Sequence, residues 1–188
     1  MEDHISKFSK KKSGVFFFKS SSPFEFYHIL NNIDLEPKEN IYGSLIFPEN
    51  AKLPCPLVIA IHGSAGLRGN HHDHIVNLLE AGIAVFRIHS FEARGLISIV
   101  ENQMAVTLAT MITDAFRALS LMSQHPDIDS NKIGIAGWSL GGSTAFYSAW
   151  QPIINSLTID NEKFSAHLPL YPGTVSYTHL TLPTILRV

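Results

Sequence analysis

Lys132-Ile133-Gly134-Ile135-Ala136-Gly137-Trp138-Ser139-Leu140-Gly141-Gly142 constrains this chain more than any other stretch. An apolar run with β-branched residues passes directly into a serine set among glycines, and a helix-forming segment follows to about Trp150. The G-x-S-x-G pattern is weak alone. Between a strand and a helix it describes a sharp turn that lifts a serine hydroxyl above the end of a sheet. Such a turn holds the serine in a strained backbone conformation costing roughly 1–3 kcal/mol. It needs glycine at 137 and 141, where side chains would collide across the bend. Ser139 is thereby placed at a helix N-terminus, whose partial positive charge favours a developing oxyanion. It is the candidate catalytic residue.

The surrounding pattern is α/β. Leu57-Val58-Ile59-Ala60-Ile61 and Ile83 to Ile88 are continuous apolar runs without alternation, as expected of parallel strands buried on both faces. Asn70 to Ala81 reads as a helix stopped by Gly82. A longer helix is expected from about Gln103 to Gln124, where Met104, Leu108, Met111, Ile112, Ala115, Leu119 and Met122 form one stripe. Ala166 to Tyr171 reads as a last strand. Upstream, Phe24 to Ile33 and Ile41 to Phe47 read as strands, and the two prolines of Lys52 to Pro56 as a connector. Strands and helices alternate after residue 56, so a mostly parallel sheet flanked by helices and joined by right-handed crossovers is expected.

Composition narrows the function. The 188 residues suffice for one domain with a sizeable core. Only 16% are charged, with a formal charge of −2, which argues against disorder and against a nucleic-acid-binding surface. The single cysteine, Cys55, excludes an internal disulfide. No apolar run reaches the roughly 18 residues of a membrane helix. Of the five lysines in residues 1–20, four precede and Lys19 follows Val15-Phe16-Phe17-Phe18, an apolar stretch too short for a secretory leader. Residues 1–20 are therefore read as a basic, solvated arm. The compartment is left open, with the cytoplasm slightly favoured, and oligomeric state is not readable.

His62-Gly63-Ser64-Ala65-Gly66 closes a buried strand. The loop after that strand in an elbow-type hydrolase donates one backbone N–H to an oxyanion hole, and the residue after the nucleophile donates the other. Ser64 or Ala65 is the first donor on this reading, and Leu140 the second. Trp138 is expected to line the pocket. His71-His72-Asp73-His74 resembles a ligand cluster, but adjacent residues on a helix diverge and at most His71 and His74 converge. It is read as a solvated helix start, with no metal and no organic cofactor.

The stretches 56–70, 81–95, 114–142 and 166–173, in this order and spacing, resemble the dienelactone hydrolase family of the α/β-hydrolase superfamily. The resemblance implies an α/β-hydrolase fold and a nucleophilic hydrolase of small esters or lactones. It also brings Ser90 to Gly95 close to the site, where Arg94 is a candidate contact for an acidic substrate, with a structural ion pair as the other reading. Dienelactone hydrolases in the narrow sense use cysteine, so Ser139 points to a broader carboxylic-ester hydrolase. A prolyl-oligopeptidase-like peptidase and a non-catalytic binding protein are the rival readings.

The family places its acid after the seventh strand and its histidine after the eighth. Asp160, Glu162, His167 and His179 are the acids and histidines that follow Ser139 here. Asp160 and His167 have the right order but come too early to form a dyad. Residues 175–188 do not continue the family pattern and are similar to translated adapter sequence. The expectation is an incomplete hydrolase domain over 21–174 with its last strands missing, followed by a non-native tail.

Overall fold

A computed structural model describes residues 13–158 and 162–173. Six strands form one sheet: β1 (Gly14–Ser21), β2 (Lys38–Ile46), β3 (Cys55–Ile61), β4 (Ala84–Ile88), β5 (Ile128–Trp138) and β6 (Ala166–Leu170). Their order is β1-β2-β4-β3-β5-β6. The pairs β1–β2 and β2–β4 are antiparallel, and β4, β3, β5 and β6 run parallel. The expected α/β architecture is present.

Each face of the sheet carries its own apolar layer. Leu57, Ile59 and Ile61 of β3 join the larger core. That core is covered by α1 (Phe26–Asn32), α3 (Leu108–Met122) and α5 (Gln151–Leu157). The intervening Ala60 faces a smaller core with Val85 and Trp138, covered by Ile75, Leu78 and Leu79 of α2 (Gly69–Glu80). This two-sided burial explains why the parallel strands read as unbroken apolar runs. Helix α4 (Leu140–Tyr147) follows β5 directly.

Four expectations need correction. Phe24 to Ile33 is not a strand but contains helix α1. Phe26, Ile29, Leu30 and Ile33 follow helical spacing and pack inward, and the Glu25 N–H donates to His28 Nδ1 at 3.2 Å to start the turn. The basic arm is not solvated throughout, because residues 14–21 pair along their whole length with β2 and bury Phe18, Ser20 and Ser21. Helix α3 starts at Leu108 rather than Gln103. The Thr107 hydroxyl accepts from the Thr110 N–H at 3.2 Å and caps it there, leaving Met104 outside the helix and 61% exposed. Strand β3 already includes Cys55, which is buried. Residues 175–188, including His179, and Asp160 lie outside the described residues.

Candidate active site

Ser139 has φ 55° and ψ −112°, a conformation that L-residues avoid. Crowding on every side holds it there. A Cβ on Gly137 would lie 1.9 Å from the Gly141 carbonyl oxygen, and one on Gly141 2.2 Å from that of Ile61. One on Gly142 would lie 2.5 Å from the Leu170 carbonyl oxygen. Hydrogen bonds complete the turn. Ser139 N–H donates to Leu170 O at 3.0 Å, and Ser143 N–H donates to Ser139 O at 2.9 Å. Leu140, as the first residue of α4, has an N–H with no partner inside the helix.

The loop after β3 faces this turn. A Cβ on Gly63 would lie 3.0 Å from Trp138 O and 3.2 Å from Ser139 Cβ, so the two backbones touch. The loop closes on itself, with Gly66 N–H donating to Gly63 O at 2.9 Å. His62 Nδ1 also donates to Gly63 O, at 3.0 Å, which requires the proton on Nδ1. The peptide unit is planar and trans, so an oxygen held on one side turns the Ser64 N–H to the other. The next peptide is held likewise. Ser64 O accepts from Ile99 N–H at 2.8 Å and from Ser98 Oγ at 3.2 Å, which sets the opposite direction for the Ala65 N–H. Neither the Ser64 nor the Ala65 N–H finds a backbone acceptor among the described residues.

Two hollows meet at Ser139. One is a groove of about 890 Å³ that also reaches Ser64 and Leu140. The other is a cleft of about 260 Å³ bordered by Ser64, Ala65, Arg68, His71, Trp138 and Tyr171, among others. Trp138 borders the cleft at the serine, but it is almost wholly buried, and its Nε1 has no hydrogen-bond partner among the described residues. His71 and His74 converge on this indole, with ring centroids 4.7 and 5.6 Å from it. Burial pushes the His71 imidazole below its ordinary pKa, as it does that of His62 against Phe91.

Arg94 borders neither hollow. It makes two hydrogen bonds to Asp114, at 2.8 and 3.1 Å, and pairs with Glu39 at 3.1 Å. It also donates to Ser90 O at 2.8 Å and Ser22 Oγ at 3.0 Å. Burial disfavours its charge, but Asp114 and Glu39 outweigh this and raise its pKa above the ordinary value. The structural ion pair is therefore what the structure places here, not a substrate contact. Asp114 also accepts from Ser20 Oγ, so the network joins β1, β2, the turn after β4 and α3. Sequence reading missed Asp114 and Glu39, because neither sits in a motif with Arg94.

Among the described residues, no side chain hydrogen-bonds the Ser139 hydroxyl. His167 pairs in register with Ile135, while Leu170 pairs with Trp138 beside the elbow. Three strand positions separate them, about 10 Å at 3.3 Å per residue. The His167 ring packs against Phe164, with centroids 5.8 Å apart.

No protein-family model and no curated protein matches the chain. Solved structures do. A dienelactone hydrolase from Anabaena variabilis superposes with TM-score 0.50 and 18% identity over 74% of this chain and 59% of its own. A protein from Klebsiella pneumoniae assigned as a dienelactone hydrolase gives 0.50 and 20%, over 74% of this chain and 57% of that one. Est1E from Butyrivibrio proteoclasticus gives 0.48 and 23%, over 59% and 41%. The chain spans about half the length of these structures. The chain has the α/β-hydrolase fold, like that of these dienelactone hydrolase structures.

Proposed function

We propose that the chain belongs to a serine hydrolase that cleaves a small carboxylic ester or lactone through an acyl-enzyme. Ser139 Oγ attacks the carbonyl carbon and forms the O–C bond as its proton passes to a base. The carbonyl oxygen takes up the negative charge, facing the N–H of Leu140 and that of Ser64 or Ala65. The alcohol oxygen then leaves with a proton, and water releases the acid and restores the hydroxyl. The observation that carries this reading is the strained Ser139 backbone pressed against Gly63, because a tight turn without a chemical task has no need of a non-glycine residue at φ 55°. Losing one oxyanion donor typically costs about 10²–10³ in rate, so the fixed directions of these N–H groups matter.

The serine needs a base to accept its proton, and the described residues supply none in bonding reach. Added imidazole takes that part in the test. The 188-residue chain is incubated with a fluorophosphonate, with and without imidazole, and the adduct is mapped by mass spectrometry. The expected adduct is on Ser139, forms faster with imidazole, and is absent from Ser139→Ala. Labelling of Ser139 no faster than that of the other serines overturns the proposal.

A further inference from the structure

The larger hollow at Ser139 has a chemical character that says more about the substrate. Its apolar lining comes from two segments, Phe24, Phe26 and Tyr27 around the start of α1, and Met104 and Leu108 at the approach to α3. Phe24, Tyr27 and Met104 are 52%, 60% and 61% exposed. Large apolar side chains gathered in the open beside a nucleophile are unusual in a surface that has nothing to bind. The two segments are also clamped to each other. The hydroxyls of Thr107 and Thr110 both donate to Pro23 O, at 2.9 and 3.1 Å. The groove is thus fixed before any ligand arrives, which lowers the cost of binding.

Its charge is equally selective. Among the described residues, Glu25 is the one charged residue on its lining, and no lysine, arginine or histidine borders it. An anionic group would meet a carboxylate and no cation there. A volume of about 890 Å³ lies within the range of sites that enclose whole small molecules. The groove is continuous with Ser139, Ser64 and Leu140, so it is within reach of a group attached to a carbonyl held at Ser139.

We infer that this groove receives an uncharged aryl or long alkyl group of the ester, so that the substrate is bulky and apolar on this side and compact on the side of the cleft. The assignment rests on Ser139 as the nucleophile. Each methylene buried is worth about fourfold in binding. A partly open groove then gives at least roughly a tenfold preference between one carbon and eight.

Two measurements on the full 188-residue chain keep the groove and the nucleophile apart. In the first, methyl-13C-methionine protein is titrated with 4-phenylbutan-1-ol and, as a control, with methanol. The Met104 signal is expected to move saturably with the aryl alcohol only, while buried Met111 and Met122 stay still, and Tyr27→Asp is expected to abolish the movement. In the second, p-nitrophenyl methylphosphonate and octylphosphonate esters are compared as labels of Ser139 in imidazole buffer. The octyl probe is expected to react at least about tenfold faster, with Tyr27→Asp drawing the ratio towards one.

Labelling by both probes at equal rates, with Met104 unmoved, overturns the groove and leaves Ser139 standing. Movement of Met104 with no labelling of Ser139 by either probe overturns the nucleophile, and with it the substrate assignment. A Met104 signal that shifts with protein concentration rather than with alcohol shows a second copy of the chain as the occupant, and also overturns the inference.

Discussion

The two hollows that meet at Ser139 are built from different parts of the fold and differ in kind. The groove is wide, lined by Phe24, Phe26, Tyr27, Met104 and Leu108 together with the polar Glu25, Gln103 and Thr107, and walled by segments packed on the larger core. The cleft has less than a third of its volume and is edged by Arg68, Asn70 and His71 at the start of α2, over the smaller core around Trp138. They share Ser64 and Ser139 and little else. The parallel sheet supplies one fixed serine and lets the helices on its two faces shape two independent surfaces. Gly137, Gly141 and Gly142, which crowd the serine's turn, border neither hollow, whereas Gly63 borders the cleft.

The largest test removes what both hollows share. Gly137→Ala would put a methyl 1.9 Å from the Gly141 carbonyl, inside a turn with no room to move. A loss above about 4–5 kcal/mol is expected, seen as failure to recover folded protein, and wild-type-like recovery would contradict the packing described.

Next comes a change aimed at one side. Asp114→Ala leaves Arg94 buried without its bidentate partner and should cost about 3–5 kcal/mol in denaturant unfolding. Asp114 sits on α3, so amide shifts should be larger across 104–110 than across 63–71. Equal shifts on the two sides would show that the surfaces are mechanically coupled.

Acid acts on the other side. His62 and His71 lie beside the cleft and are held below the ordinary histidine pKa of 6.5, mainly by burial. The unfolded chain therefore binds more protons below that pH, so stability is present above 6.5 and is lost as pH falls through the lower folded values. Melting temperature should drop between pH 7.5 and 5.5, and His71→Gln should flatten the drop. The groove has no histidine on its lining among the described residues, so its Met104 signal should move less than the Trp138 indole signal over the same range.

The smallest effect concerns the serine itself. Ser139→Gly relieves the positive φ and gives back some of the gain as unfolded-chain entropy, leaving about 1 kcal/mol of added stability. A loss on thermal melting would mean that the turn is not strained.

Much of this was legible in the sequence where one local rule dominates. The elbow is readable because glycine is the residue that fits at 137 and 141, and the parallel strands are readable because burial on both faces removes alternation. The misreadings occur where a distant partner decides. Val15 to Phe18 pairs with β2, more than twenty residues away, and nothing in a lysine-rich stretch announces that partner. Arg94 was a plausible substrate contact until Asp114, Glu39 and Ser22 were brought to it from three other elements. Helix α1 was readable and misjudged, since aromatic and β-branched content outweighed the spacing of Phe26, Ile29, Leu30 and Ile33. Helix α5 follows α4 after three residues and is only seven residues long, so Pro152 at its start and the spacing of Ile153, Ile154 and Leu157 are its whole signal.

The tie between Ser139 N–H and Leu170 O has a mechanical consequence. Strand β6 is the outermost of the described sheet, yet its last carbonyl anchors the amide of Ser139 and approaches Gly142, and two residues beyond Tyr171 the Gly173 N–H reaches Ser143 Oγ. A neighbour docking along that border would tug on the hydroxyl through a single bond. The sheet's rim and the serine's turn are two ends of one short rod.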